Sequence, residues 1–572
     1  MAPQSYTPSS GYNTPDSQLE SIVPIHPTAV RRPEYIEVHS ENTTYTDEHI
    51  TAKYFYRGAD VVISDGQFNV TPTVKQFEFQ TTRKVAKTGY VNDSYPESPA
   101  SYGLLQAHDD RHEWQQRVYA VRYYSCNKHQ ISWHTKDGIQ QPNYIGSVLR
   151  ASTVRIGSDP GTAKEVYVPI CDVLPMVHPN DLVLGGWDIS SMPMDKAMER
   201  ARVLDYDLQR QVKPHMTLLG SPLPSVYYPD FIAANQESRA DNVIPGTDKQ
   251  AHLEHIRADI RRFKAENQLD RVIVFWTANT ERYSDIIPGV NDTADNLLAS
   301  IRSSHSEVSP STLFAVASIL EGEPFVNGAP QNTFVPGVIE LAEREKSFIG
   351  GDDLKSGQTK LKSVLAEFLV NAGIKPLSIA SYNHLGNNDG HNLSAEPQFK
   401  SKEISKSSVV DDMVEANHLL YKPPVPGLKG KAAKGEHPDH VVVIKYVPAV
   451  GDSKRAIDEY YSEIFCGGRQ TINIFNECED SLLATPLILD LSILAELLTR
   501  VKYRELSAGQ ADFAPLYPVL SLLSYMCKAP LVKPGTDVVN SLGRQRNALD
   551  AFLKACIGLE GNNDLLLETR IW

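Results

Sequence analysis

Lys402 and Lys406, in SKEISKSS (401–408), stand four residues apart, the spacing that stacks two side chains on one helix face. Two ammonium groups held side by side repel by a few tenths of a kcal/mol. A solvated surface relieves that repulsion; a buried anion would exploit it. Three further segments are polar where a fold has no need of polarity: GDDLKSGQTK (351–360), SYNHLGNNDGHNLS (381–394) and VGDSKRAIDEYY (450–461). Any one alone reads as a capped helix start or a turn, since Asp353 and Asp452 suit N-caps and Asn-Gly-Asp mixtures suit turns. Together they set more lysines opposite amides than turns require. Such a set could hold an anionic ligand.

The bulk numbers make that local clustering matter. The chain has 572 residues, 41% hydrophobic and 22% charged, enough for a large core and for several domains. Its formal net charge is −14, which excludes a surface built as a whole for nucleic acid. An anionic ligand must therefore be met by gathered Lys and Arg. The six cysteines form no C-x-x-C pair and are too sparse for a disulfide scaffold, as suits a reducing cytoplasm. The N-terminus carries no basic-then-apolar leader pattern. LLATPLILDLSILAELL (482–498) contains Asp490 and Glu496 and reads as a buried helix, so no membrane is expected. No metal is expected either: His108 and His112 share a helical spacing but lack the order of a zinc motif, and GLKGKAAKG (427–435) is a poor imitation of a phosphate loop.

The elements that must position the polar tips follow from periodicity. Residues 1–20 are rich in Pro, Ser, Thr and Gln and read as a disordered tail. Residues 50–82 alternate polar and apolar and read as short strands. From about 166 onward, apolar strands such as DLVLGGWD (181–188) and RVIVFWTANTE (271–281) alternate with helices such as 252–268. That alternation predicts an α/β fold with a helix-covered parallel sheet, and ligands at the carboxyl ends of its strands. IKPLSIASYN (374–383) and HVVVIKYV (440–447) read as strands, and 481–503, 515–528 and 541–557 as closing helices.

Long polar motifs here resemble those of the myo-inositol-1-phosphate synthase (inositol-3-phosphate synthase) family of eukaryotic, fungal type. They are GWDIS (186–190), WTANTER (276–282), NGAPQNTFVPG (327–337), GGDDLKSGQTKLKSVL (350–365), SIASYNHLGNNDGHNLS (378–394), SKEISKSSVVDDM (401–413), GDSKRAIDEYYSEI (451–464) and CEDSLLATPL (478–487). The resemblance implies conversion of glucose 6-phosphate to inositol 3-phosphate, the first step of inositol biosynthesis. NAD would be reduced and re-oxidised within a turnover of oxidation, enolisation, aldol closure and reduction. It implies a Rossmann-like NAD domain within 21–359, a catalytic and tetramerising α+β domain at 360–482, and C-terminal helices at 483–572. It implies a catalytic set of Lys402, Lys406, Lys454 and Lys528 with Asp353, Asn387 and Asp389. Cofactor contacts implied are Asp188, Ser225, Gln236, Arg239, Thr277, Ala278, Asn279, Thr280, Gly328, Asp353, Ser356, Asn387, Asn388, Asp389, Lys402, Asp452 and Asp480. Substrate contacts implied are Asn383, Ser356, Lys406 and Lys454. Shielded lysines crowding one another acquire lowered pKa values and can shuttle protons near neutrality.

The resemblance breaks at 90–126. The family carries a glycine-rich turn after its first strand, whereas this stretch has one glycine, Gly103, and reads as offering no apolar strand. A pyrophosphate needs backbone N–H groups at a helix start and glycines that let it approach. The stretch therefore reads as foreign sequence, a retained intron, shifted frame or alternative exon. It predicts unpaired neighbours for the lost central strand, weak NAD binding and poor activity. Two other readings are thus a catalytically impaired family member and a sugar-phosphate dehydrogenase; four lysines exceed what simple hydride transfer needs.

Overall fold

The computed structural model describes residues 45–64, 67–86, 102–107, 126–159, 161–162, 164–201, 203–279, 281–424 and 435–561. The predicted tail, the spacing of His108 and His112, and the loop at 427–434 lie outside them.

Among the described residues, six strands make a parallel sheet: Tyr102–Ala107, Leu182–Asp188, Leu223–Pro224, Arg271–Trp276, Phe325–Asn327 and Ile349–Gly350. Numbered along the chain, their spatial order is 3-2-1-4-5-6, the doubly wound Rossmann-like arrangement. The first and central strand is Tyr102–Ala107, from inside the stretch that breaks the family pattern. Its backbone pairs on one side with Arg271–Trp276 and on the other with Leu182–Trp187. The expected loss of the central strand is thus corrected. Ladder hydrogen bonds are made by backbone groups, so YGLLQA fills an interior slot with two waiting edges without a long apolar run.

Both faces of this sheet are covered. Trp187 and Trp276 point to one side and close on Phe314, with ring centroids 5.0 and 5.3 Å away. Such aromatic contacts add about 0.5–1.5 kcal/mol each beyond burial. Phe314 belongs to the helix Pro310–Leu320, whose start is capped by Ser309. The other face packs on Asp480–Thr499, which is long and apolar enough to cross a membrane by length and composition, but is buried within the core.

A second sheet is mixed. Lys375–Leu385 pairs in parallel with Asp439–Tyr446 and antiparallel with Ser453–Glu463, which pairs antiparallel with Arg469–Glu479. One face is covered by the helices Gly357–Asn371 and Glu396–Ser407. The predicted short strands of 50–82 are instead two strands of 20 residues, Tyr45–Ser64 and Gln67–Ala86, in one continuous antiparallel register joined to Val501–Glu505. The predicted helix at 515–528 is only the turn Ser521–Met526. Pro518 lacks the N–H that a helix starting at 515 would need at its fourth residue.

Candidate functional site

Lys402 and Lys406 lie on the helix Glu396–Ser407, so their spacing does stack them on one face. That face is turned inward: they are only 5% and 3% exposed, which removes the reading of a solvated surface. Lys454 opens the strand Ser453–Glu463, opposite Leu385 in the mixed sheet, and points to its covered face. Lys528 follows the turn Ser521–Met526, held by a bridge between Leu354 and Cys527 and by its own N–H donating to the Asp353 carbonyl at 2.8 Å. All four lysines are buried.

Asp353 is the anchor. Its φ is +57°, the left-handed region that non-glycine residues enter at a cost of about 1 kcal/mol. Its N–H donates to the Ala329 carbonyl, and the neighbouring Leu354 N–H to the Gly328 carbonyl, which ties the loop to the end of a parallel-sheet strand. Its Oδ1 accepts from Lys402 Nζ at 3.1 Å and from Lys528 Nζ at 3.2 Å; its Oδ2 accepts from Ser405 Oγ at 2.7 Å. Lys406 Nζ donates to Asn383 Oδ1 at 3.2 Å, and Lys454 Nζ to Asp480 Oδ2 at 3.0 Å. Asp452 accepts from Ser481 Oγ at 3.3 Å, and Asn387 Oδ1 from the Gly390 N–H at 3.1 Å.

The electrostatics follow from crowding in a dry place. Burial holds Lys406 well below the usual lysine range, and the charges of Lys454, Lys528, Lys362 and Lys402 add to it in that order. Burial takes Lys528 down to about 7; Asp353 opposes this, while Lys402 and Lys454 reinforce it. Burial would raise Asp353, but Lys402 and Lys528 outweigh it and hold the carboxyl at about 2. The nest therefore combines a fixed anion, cations and amines that titrate near neutrality, which suits both anion binding and proton transfer.

The predicted cofactor positions gather at the carboxyl ends of the parallel strands. Asp188 ends one strand and is fully buried, its Oδ1 accepting from the Ser190 N–H at 2.7 Å. Thr277, Ala278 and Asn279 follow another and are buried. Gly328 follows a third, and a Cβ there would stand 2.7 Å from Phe275 and 3.2 Å from the Trp276 carbonyl. Gln236 accepts from Arg239 Nη1 at 2.6 Å and donates to Asn392 at 2.7 Å, joining this region to the short helix Asn388–Asn392 that precedes the lysine helix. Ser225 Oγ and Asn279 Oδ1 are buried with no partner within the protein among the described residues. Such atoms fit the hydroxyl and amide groups of a dinucleotide. Ser356 is half-buried and opens the helix Gly357–Asn371. Thr280 lies outside the described residues, as do the side chains of Asn388 and Asp389 and the segment 108–125 that would follow the first strand.

Ser405 and Asn392 were not among the sequence-predicted residues. The signal for Ser405 was available: it lies three residues from Lys402 and so shares its helix face. Asn392 lay within the polar segment 381–394, but its pairing with Gln236, 156 residues away, left no local signal.

Gly386 matters for a steric reason. A Cβ there would run into the Gly451 backbone and lie 2.7 Å from the Val447 carbonyl, and neither backbone can yield as a side chain would. Gly386→Ala is expected to cost about 1–3 kcal/mol, read as a lowered urea midpoint.

Comparisons with known proteins agree with the geometry. The sequence pattern of the family described as "Myo-inositol-1-phosphate synthase" matches residues 120–554. The chain is 52% identical over 538 residues to the inositol-3-phosphate synthase of Dictyostelium discoideum, covering 94% of this chain and 99% of that one. It is 51% identical over 548 residues to that of Saccharomyces cerevisiae, covering 94% and 98%. The crystal structure of inositol-3-phosphate synthase from Caenorhabditis elegans superposes with a TM-score of 0.83 at 49% identity, covering 93% of this chain and 98% of that one. A shared fold, a shared length and this level of identity establish that the chain belongs to the myo-inositol-1-phosphate synthase family.

Proposed function

We propose that this chain is an isomerase that closes glucose 6-phosphate into inositol 3-phosphate, with NAD reduced and re-oxidised in each turnover. One observation carries this reading: lysines from three separate segments are buried in one nest, bonded to Asp353 and Asp480. Such a nest is suited to an anionic sugar. Bound NAD supplies hydride acceptance and return. Asp188, Ser225, Asn279 and the close backbone at Gly328 are the groups that would hold it. Lys406, with its lowered pKa, takes the proton beside the new carbonyl as a free amine. Lys402, fixed by Asp353, stays an ammonium for the developing enolate, while Lys454 and Lys528 meet the phosphate and return the proton. Such positioned acid–base groups contribute about 10²–10⁴-fold.

The outer face of the mixed sheet supports a homotetramer. Tyr382, Ile457 and Phe475 are in register across three strands and 46%, 45% and 62% exposed, a stripe that a second copy would cover. This fits the division at 360–482 into a catalytic and assembly domain. Six free cysteines agree with a cytoplasmic setting.

Purified chain given excess NAD and glucose 6-phosphate is expected to yield inositol phosphate by phosphorus NMR with no net NADH. NADH accumulating with an oxidised sugar phosphate would make it a dehydrogenase, and no product would defeat the reading. The central strand Tyr102–Ala107 is in place, so its neighbours are not left unpaired. The lack of glycines after it stands, and calorimetry is expected to give a dissociation constant weaker than micromolar; micromolar binding would contradict this.

A further inference from the structure

The helix Gly357–Asn371 lays a second polar face on the covered side of the mixed sheet, beyond the lysine nest. Gln358 and Lys362, four residues apart, point the same way and are 5% and 2% exposed. Gln358 Nε2 donates to Asp458 Oδ1 at 2.8 Å. Lys362 Nζ lies 2.8 Å from Nε2 of His440, which is half-buried on the outermost strand. The sheet register runs from this seam into the nest. Ser381 faces Asp458 in one row, and two residues along the same strand is Asn383, the acceptor of Lys406. Ser381 Oγ, Gln358 Oε1 and Asp458 Oδ2 are buried without a partner inside the protein among the described residues, so the seam has places for ordered water.

Two nitrogens 2.8 Å apart share one proton. An ammonium donating to a neutral imidazole satisfies both, with the His440 proton on Nδ1. Resting on the function proposed above, we propose that Lys362 is a positioning residue: held as an ammonium by His440, it is a fifth cation that keeps Lys406 available as a free amine. The groups facing Lys406 are Lys454 from the neighbouring strand, Lys528 from the turn, Lys362 from the covering helix and Lys402 on its own helix. Those facing Lys362 are His440, Asp458 and Lys406. Burial lowers Lys362 only to about 8, with Asp458 opposing, so it remains mostly charged at neutral pH. Removing that charge lets Lys406 hold its proton to higher pH, and the acid limb of turnover then moves upward.

The experiment records kcat against pH and, independently of turnover, the pH at which Lys406 is half-reactive toward an amine-acylating reagent, read by peptide mass spectrometry. Lys362→Gln is expected to raise both midpoints by about half to one pH unit, the scale of one charge acting through a protein interior. Lys362→Met, which keeps much of the stem volume, should do the same, and Lys362→Arg should leave both midpoints in place. His440→Leu removes the acceptor that favours the ammonium and should move them part of the way; it reads the same idea if neither neutral variant folds. A neutral variant with lowered kcat and unmoved midpoints would reduce Lys362 to packing and overturn the proposal, as would Arg shifting them as far as Gln. Absent turnover in the parent chain would defeat the function proposed above, and the Lys406 labelling curve would still decide the role of Lys362.

Discussion

Lys406→Met turns over glucose 6-phosphate about 10³-fold more slowly than the parent chain, within the range a positioned acid–base group supplies. The methionine keeps most of the stem volume and removes the amine. The loss falls on kcat more than on KM, because Lys454 and Lys528 still present cations to the phosphate. Folding is barely affected. Lys406 is buried, depressed in pKa by burial and by its neighbours, and bonded to Asn383 rather than to a carboxylate, so its removal leaves no anion unpaired. Steady-state kinetics at saturating NAD, with unfolding curves alongside, check both halves. A variant within tenfold of the parent rate would take Lys406 out of the chemistry.

Asp353→Asn behaves oppositely and is expected to lose stability first. The carboxylate serves two buried ammonium groups and a hydroxyl. Removing one partner of a buried pair costs about 3–5 kcal/mol, since the remaining charge is stranded. The pH dependence has a definite sign. Asp353 sits at about 2, below its unfolded value near 3.9, so its contribution is present above about pH 4 and fades as pH falls toward 2. On the alkaline side the stranded lysines relieve the penalty by losing their protons. The stability gap between parent and variant is therefore widest near pH 6 and narrows toward pH 10. Urea unfolding at pH 3, 6 and 9 tests this; a gap that is flat across the three would mean that Asp353 fills space rather than pairing charge.

What could be read in the chain divides along physical lines. The i, i+4 placement of Lys402 and Lys406 needed only helical periodicity, and the strands ending in Asp188 and Trp276 needed only apolar runs with polar tips. The gathering of Lys454 and Lys528 into the same nest was legible through family resemblance, because sequence separation hides spatial proximity. The strand Tyr102–Ala107 was missed since the sheet specifies it through backbone pairing on both edges, a property with little side-chain signature. The long hairpin was broken into short strands for a related reason: Gly58 and Pro72 look like interruptions, yet each is accommodated within its strand. The turn at Ser521–Met526 was misread as a helix because apolar density outweighed the two prolines before it.

The account stands on one arrangement, an anionic sugar held by amines contributed from distant parts of the chain. A crystal structure of the full chain grown with glucose 6-phosphate tests it most directly. The expected result is a phosphate within hydrogen-bonding distance of Nζ of Lys454 or Lys528, with Lys406 Nζ beside the sugar ring. A sugar phosphate bound elsewhere, with those side chains out of its reach, would contradict it.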